Sequence, residues 1–175
     1  MISEYTFRLA TTDDISKIVE FTISEAKESQ GSEVDINCVE RGVSAAFLES
    51  PKSCYWVLED TKNNIVANVS IVKEWSDFYG GDYWWIQSFY IIPEQRGRGI
   101  SDYMMECVAN QARSEDALEI RLYVHESNKI AIRALKLKVK QNILCLTLSF
   151  NVYWYHGKYL EFHFVKIISL VAVSV

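Results

Sequence analysis

The sequence predicts a mixed α/β domain, in which a central mixed sheet is flanked by helices. An apolar run, Ile86 to Ile92, leads through a glycine-rich turn into a segment with helical periodicity. The apolar segment Leu118 to Val124 follows that helix, so strand, helix and strand form a βαβ crossover. With 175 residues, the chain is long enough to bury a core, and we assign residues 1–175 to a single domain.

The N-terminal segment predicts one strand and two helices. Tyr5 to Leu9 alternates apolar and polar residues and is typical of a strand. Thr11 precedes an acid at Asp14, and this capping pattern predicts a helix that runs to about Ser29. A second amphipathic helix follows and ends before Pro51.

The next segments predict a hairpin and then a loop. Cys54 to Glu59 and Ile65 to Val72 read as two strands joined by a polar turn. The stretch Trp75 to Asp82 is aromatic and acidic, and we expect a wide loop before the strand Tyr83 to Ile92. Such a loop suits the wall of a cation-binding pocket. The alternative is that its aromatic side chains simply cover the sheet.

The turn from Gly97 to Ser101 is the clearest candidate for a binding site. Glycines allow left-handed backbone torsions, and amides at the start of a helix attract anions. Arg96 and Arg98 add cations that we expect to be mobile and that suit a pyrophosphate. The alternative is an ordinary glycine-rich turn with two solvated arginines. Neither the P-loop nor the dinucleotide-binding glycine pattern is present.

The run from Arg96 to Ser101 resembles the R/Q-x-x-G-x-G/A motif of the GNAT superfamily of N-acetyltransferases. Ser101 stands where that family prefers glycine or alanine. A second motif, Asn128-x-x-Ala131 after a strand, also resembles the family. The resemblance covers about residues 5–135, and it implies the acyl-coenzyme A N-acyltransferase fold.

The resemblance implies that acetyl-coenzyme A is a co-substrate. The loop would hold its pyrophosphate, Asn128 and Ala131 would lie along its pantetheine arm, and strand amides would bind the thioester carbonyl. The coenzyme-binding residues implied in this way are Phe89, Tyr90, Ile91, Arg96, Gly97, Arg98, Gly99, Ile100, Ser101, Asp102, Asn128 and Ala131.

The catalytic residues implied by the resemblance depart from the family pattern. Gln87 stands where many relatives have a glutamate, and glutamine cannot titrate. A relayed proton path through His125 or Glu74 is one alternative, and the other is that His125 caps a strand and Glu74 is solvated. Leu135 stands where the family carries a tyrosine that protonates the leaving thiolate.

Two functions therefore remain open. The first is an acetyltransferase that moves acetyl from acetyl-coenzyme A to a primary amine in a ternary complex. The second is a coenzyme-binding or regulatory module with impaired catalysis. Residues 140–175 diverge from the family: their strand-like segments, 143–148 and 159–165, either form the closing hairpin of the sheet or belong to a different ending.

Composition limits the partners. A net charge of −5 argues against general nucleic-acid binding, so we expect a small-molecule or peptide amine as acceptor. The four cysteines lack metal-ligand spacing, and we expect no metal and no membrane span. A cytoplasmic protein is the simplest account, a nuclear one is an alternative, and a homodimer stays open.

Overall fold

The computed structural model describes residues 4–31, 33–48, 51–125, 143–148 and 168–170. The chain divides into two compact units, 1–120 and 121–175, and each is considered by itself. The helices and strands are β1 (Thr6–Leu9), α1 (Ile15–Gln30), α2 (Ile36–Ser44), β2 (Cys54–Glu59), β3 (Ile65–Ser76), β4 (Gly81–Ile91), α3 (Ile100–Ser114), β5 (Glu119–His125), β6 (Ile143–Leu148) and β7 (Ile168–Leu170).

In the first unit, β1 to β4 pair in sequence order, and each pairing is antiparallel. One row across the sheet shows the register: Arg8 faces Val57, which faces Asn68, which faces Tyr90. Side chains alternate between the two faces along a strand, and residues that face each other on adjacent strands point to the same side. Val57, Asn68 and Tyr90 therefore share one face of the sheet.

The start of α1 confirms the capping pattern predicted from the sequence. The backbone N–H of Thr11 donates to Asp14 Oδ2 at 2.7 Å, and Arg8 donates to both Asp14 oxygens at 2.7 and 2.9 Å. Gly31 ends the helix with a φ of 63°, in the left-handed region that favours glycine. The predicted helix and the observed one therefore differ by a single residue at the C-terminal end.

The two N-terminal helices and the sheet share one hydrophobic cluster. Ile18 and Val19 of α1, Val43 of α2 and Val57 of β2 are buried in it together with Ala10. On the opposite face of the sheet, the rings of Trp56 and Trp84 stack with centroids 5.8 Å apart. Ser70 is two residues from Asn68 on β3 and faces Ser88 on β4, so both serines lie on the same face as Val57. This is the face that α1 and α2 cover.

The prediction of a wide loop from Trp75 to Asp82 is wrong. β3 continues to Ser76, and Trp75 pairs directly with Asp82 across the hairpin, so the connection is the four residues 77–80. Gly80, with a φ of 63°, closes this turn. At this end of the hairpin each aromatic residue faces a charged one: Trp84 faces Lys73, Tyr83 faces Glu74 and Trp75 faces Asp82. Such cross-strand pairs support the continued strands.

In the second unit, β6 occupies the predicted segment 143–148 and pairs antiparallel with β7, with Leu146 facing Ser169. The strand predicted over 159–165 lies outside the described residues, as do Asn128, Ala131 and Leu135.

Candidate active site

The turn between β4 and α3 presents a row of unpaired backbone donors. Gly97 and Gly99 have φ values of 74° and 80°, a conformation that L side chains rarely adopt. Within the described part of the chain, the amides of residues 97–101 donate no hydrogen bond, whereas the Gly99 carbonyl accepts from Asp102 and Tyr103 at 3.1 Å. Two of these amides, those of Ile100 and Ser101, begin the 15-residue helix α3. Because a helix is positive at its N-terminal end, the turn suits an anion.

The loop residues predicted to bind coenzyme differ in what they offer. Ile100 is 3% exposed, so its side chain anchors the start of the helix in the core. The Ser101 hydroxyl donates to Asp102 Oδ1 at 3.5 Å. Arg98 is exposed and forms no hydrogen bond or ion pair with the residues that the structure describes. Arg98 is therefore the side-chain cation that the turn leaves available.

Arg96 is fixed, contrary to the expectation that it is mobile. Its Nε donates to the Ile91 carbonyl at 2.8 Å, and its Nη2 lies 2.9 Å from Glu28 Oε2. The guanidinium also lies over the ring of Tyr90, 5.3 Å from the centroid, and the Tyr90 hydroxyl donates to Glu28 Oε1 at 3.1 Å. Arg96 thus links the turn to α1 through Glu28.

A β-bulge interrupts the pairing of β3 with β4. Ser70 faces Ser88 and Ile71 faces Ile86, so Gln87 is the extra residue and has no partner across the ladder. Its side chain is exposed. A bulge tilts the strand and re-aims the groups that follow it, here Ser88 and Phe89.

Glu25 of α1 meets the strand at this bulge. The Ser88 hydroxyl donates to Glu25 Oε2 at 2.5 Å, and the Phe89 amide donates to Oε1 at 3.3 Å. The amide predicted to bind the thioester carbonyl therefore binds a side-chain carboxylate in this structure. Burial raises the pKa of Glu25, an effect that these two hydrogen bonds offset only in part and that the nearby Glu28 charge adds to.

Glu25 is not among the residues predicted from the sequence, although the sequence carries a signal for it. Ile18 and Phe21 are 0% and 1% exposed, and Glu25 follows them by seven and four positions. Residues at this spacing lie on one face of a helix, so an acid here interrupts the stripe that packs on the sheet. A charged residue in an apolar stripe requires either a partner or a function.

A pocket of about 450 Å³ opens beside Glu25, between α1, α2 and the strands β2 to β4. Its size is in the range of small-molecule sites. The residues that line it are Thr22, Glu25, Ala26, Ser29, Val39, Gly42, Val43, Lys52, Ser53, Tyr55, Ser70, Gln87 and Ser88. Of the predicted catalytic residues, this pocket contains Gln87.

The other two predicted catalytic residues lie outside this pocket lining. Glu74 faces Tyr83 and accepts a hydrogen bond from Trp85 Nε1. It lies four residues beyond Ser70 along β3, a distance of about 13 Å at the usual strand rise. His125 is the last residue of β5 in the second unit.

The described ranges contain neither a metal-ligand cluster nor a membrane-spanning helix. Among these residues, no group of three or more histidine, cysteine, aspartate or glutamate side chains is placed to hold a metal ion. No helix in the described part of the chain has the length and apolar character needed to cross a membrane.

Known proteins of similar sequence and structure share this fold. The model of the acetyltransferase (GNAT) family matches residues 18–138. A possible acetyltransferase from Clostridium difficile 630 is 30% identical and superimposes with a TM-score of 0.73, over 89% of this chain and 99% of that chain. No curated protein matches the sequence. The mixed α/β fold expected from the sequence is confirmed.

Two further solved structures are more distant and show the fold alone. A predicted acetyltransferase from Clostridium acetobutylicum, solved with acetyl-CoA, is 19% identical, with a TM-score of 0.62 over 91% of this chain and 96% of that chain. A ribosomal-protein-alanine N-acetyltransferase from Brucella melitensis biovar Abortus 2308 is 13% identical, with a TM-score of 0.63 over 89% and 99%.

Proposed function

The chain belongs to the acetyltransferase (GNAT) family, and from that premise we propose that it transfers acetyl from acetyl-coenzyme A to a primary amine. The observation that carries this proposal is the row of unpaired amides at residues 97–101. A pyrophosphate would receive these donors and the Arg98 guanidinium together. The structure from Clostridium acetobutylicum with acetyl-CoA supports the choice of co-substrate.

Glu25 is the residue that we assign to proton transfer. A general base must lie beside the proton it removes and have a pKa close to the working pH. Glu25 lines the pocket, is positioned by Ser88 and Phe89, and has a raised pKa because it is buried. It takes the place of the strand glutamate that Gln87 replaces.

The proposed step balances as a direct transfer. Glu25 accepts a proton from the ammonium group, and the freed nitrogen lone pair forms the C–N bond to the thioester carbonyl carbon while the C=O electron pair moves onto the oxygen. As the carbonyl re-forms, the C–S bond breaks, its electron pair leaves on the coenzyme thiolate, and the second proton of the nitrogen passes to that thiolate. Because a thiol has a pKa of about 8.5, the thiolate leaves readily near neutral pH.

The competing function is a module that binds acetyl-coenzyme A without turnover. Gln87 at the bulge and Leu135 in the place of the usual tyrosine favour it. Glu25 favours turnover, because a carboxylate held against a strand bulge is costly to bury unless it acts on a ligand. Thiol release from acetyl-coenzyme A with a panel of small amines separates the two: binding without release indicates the module.

The binding site itself is tested by Gly99→Glu. Bulk and negative charge at the turn should weaken acetyl-coenzyme A binding by at least about a hundredfold, since several charge-assisted contacts are lost together. Gly80→Glu is the matched control, because Gly80 has the same left-handed conformation and equally open surroundings in a turn outside the site. Unchanged affinity of Gly99→Glu in calorimetry would contradict the proposed site.

A further inference from the structure

The pocket beside Glu25 contains a buried hydroxyl with no partner. Ser70 is 1% exposed, and its Oγ forms no hydrogen bond with any described residue. It occupies the middle of a row across three strands, between Tyr55 on β2 and Ser88 on β4. Buried polar groups in folded proteins are almost always paired, so an unpaired one that lines a cavity indicates a ligand.

The described neighbours of Ser70 do not supply the missing hydrogen bond to its hydroxyl. The Ser70 hydroxyl lies close enough to Tyr55 to affect the pKa of that phenol, which burial raises, yet no hydrogen bond of acceptable geometry joins the two groups. Asn68, two residues earlier on the same face, is also buried with an amide that has no partner among the described residues, but it does not line the pocket. Ser70 is therefore the unpaired buried group that the described lining contains.

The charges around the pocket limit the ligand further. Of the described residues that line it, Glu25 and Lys52 are the charged ones, so the lining has one acid and one base. Glu25 can hold a single ammonium group. A second ammonium group would be repelled by Lys52, and the nearest other acid, Glu28, lies outside the described lining and is already paired with Arg96.

The positions of the polar groups set a spacing. Glu25 is held by Ser88, and Ser70 is directly opposite Ser88 on the adjacent strand. Neighbouring strands are about 4.8 Å apart, so a ligand that reaches both positions needs two polar groups separated by a short chain. The volume of about 450 Å³ accommodates such a molecule.

We propose that the acceptor is a small primary monoamine that carries one uncharged hydrogen-bonding group, a hydroxyl or an amide, and that Ser70 binds this group while Glu25 holds the amine. This inference rests on the proposed acetyl transfer. A site built to pair with a polar group discriminates strongly against an analogue that lacks it, because its own buried group is then left unpaired. Ser70 is therefore a specificity-determining residue.

The test compares kcat/KM, measured by thiol release, for aminopropanol, for its isostere butylamine and for the dication diaminobutane. The wild-type chain should prefer aminopropanol over butylamine by at least about tenfold, and should use diaminobutane less well than aminopropanol. In Ser70→Ala the ratio of aminopropanol to butylamine should fall to about one, with the change mainly in KM. Ser76→Ala, a buried serine on the same strand outside the pocket, should keep the wild-type ratio.

The outcomes separate this inference from the proposed function. No thiol release with any amine, despite acetyl-coenzyme A binding, overturns acetyl transfer and this inference with it. Release without preference for aminopropanol, a preference that survives in Ser70→Ala, or a preference for diaminobutane overturns the acceptor class and leaves acetyl transfer standing.

Discussion

Two carboxylates at opposite ends of the same helical region have opposite environments. Asp14, just before α1, receives two hydrogen bonds from Arg8 and one from the Thr11 amide, and the Arg8 contacts foremost hold its pKa below the usual value. Glu25 has no cation among its described contacts, and burial raises its pKa. The difference shows how one chain separates a structural acid from a chemically available one.

The Asp14 site is a closed network. Arg8 donates to Asp14 at 2.7 Å and to Glu59 at 2.6 Å, so a single guanidinium joins β1, the start of α1 and the end of β2. Asp14 and Glu59 are both paired with Arg8, and these ion pairs stabilise the folded state. Glu25 has only neutral donors, so part of the cost of burying its charge is left uncompensated. Uncompensated charges of this kind are concentrated at functional sites.

The largest expected effect concerns Glu25 in catalysis. Glu25→Gln keeps the size of the side chain, and its one carbonyl oxygen can accept from the Phe89 amide while its NH2 group donates to the Ser88 hydroxyl, but it cannot accept a proton. We expect kcat for thiol release to fall by about 10²- to 10⁴-fold, the usual contribution of a general base. Acetyl-coenzyme A affinity should be nearly unchanged, because the turn at residues 97–101 is not touched.

The control for this variant is Glu20→Gln, which removes an exposed acid of the same helix that pairs with Lys17. Its activity should match the wild type. If Glu25→Gln retains full kcat over the whole pH range, Glu25 is not the general base, and proton transfer must be assigned to another residue.

The next effect is on stability. Asp14→Asn removes the charge that Arg8 neutralises and should lower the free energy of unfolding by about 2 kcal/mol. This is less than the cost of breaking a fully buried pair, because Arg8 is about a third exposed and keeps Glu59. Since the pKa of Asp14 is lowered in the folded state, its contribution is present above the unfolded pKa and lost as pH falls through the folded pKa.

Urea unfolding at neutral pH and in acid measures this loss. The difference between the wild type and Asp14→Asn should be large at neutral pH and should shrink in acid. A difference that does not depend on pH would mean that the substitution acts through packing, and Asp14 would then not be the stabilising ion that the comparison requires.

The helix cap at Thr11 and Asp14 and the glycine turn were accessible from the sequence, whereas the Arg8–Glu59 ion pair and the Glu25 site were not. Thr11 and Asp14 form a local capping pattern, and Gly97 and Gly99 mark a turn within a few residues. Local patterns of this kind depend on neighbours in the chain. The contact between Glu25 and Ser88 joins residues 63 positions apart and depends on the bulge at Gln87.

The errors in the sequence analysis have the same origin. The hairpin at Trp75 and Asp82 was read as a loop because its polar residues break the apolar alternation, whereas strand pairing depends on the partner strand. Arg96 was expected to be mobile because Glu28, its partner, lies on α1, far away in sequence. Patterns of neighbouring residues predict helices and strands, whereas the candidate active site depends on contacts between helices and strands that are distant in the sequence.

The smallest expected effect is the change in the free energy of unfolding of Glu25→Gln, and its sign is opposite to that expected for Asp14→Asn. Because the pKa of Glu25 is raised in the folded state, the folded chain binds more protons than the unfolded chain between the unfolded and the folded pKa. The stability that Glu25 contributes is therefore fully present below its unfolded pKa and lost as pH rises through the folded pKa. At neutral pH, Glu25→Gln should raise the free energy of unfolding, by on the order of 1 kcal/mol or less. The gain should disappear in acid, where both forms are uncharged. Urea unfolding of Glu25→Gln and Asp14→Asn at neutral and acid pH measures both effects. If Glu25→Gln loses activity and gains stability at neutral pH, Glu25 is a carboxylate kept for chemistry. If it loses stability at neutral pH, Glu25 is a structural acid like Asp14.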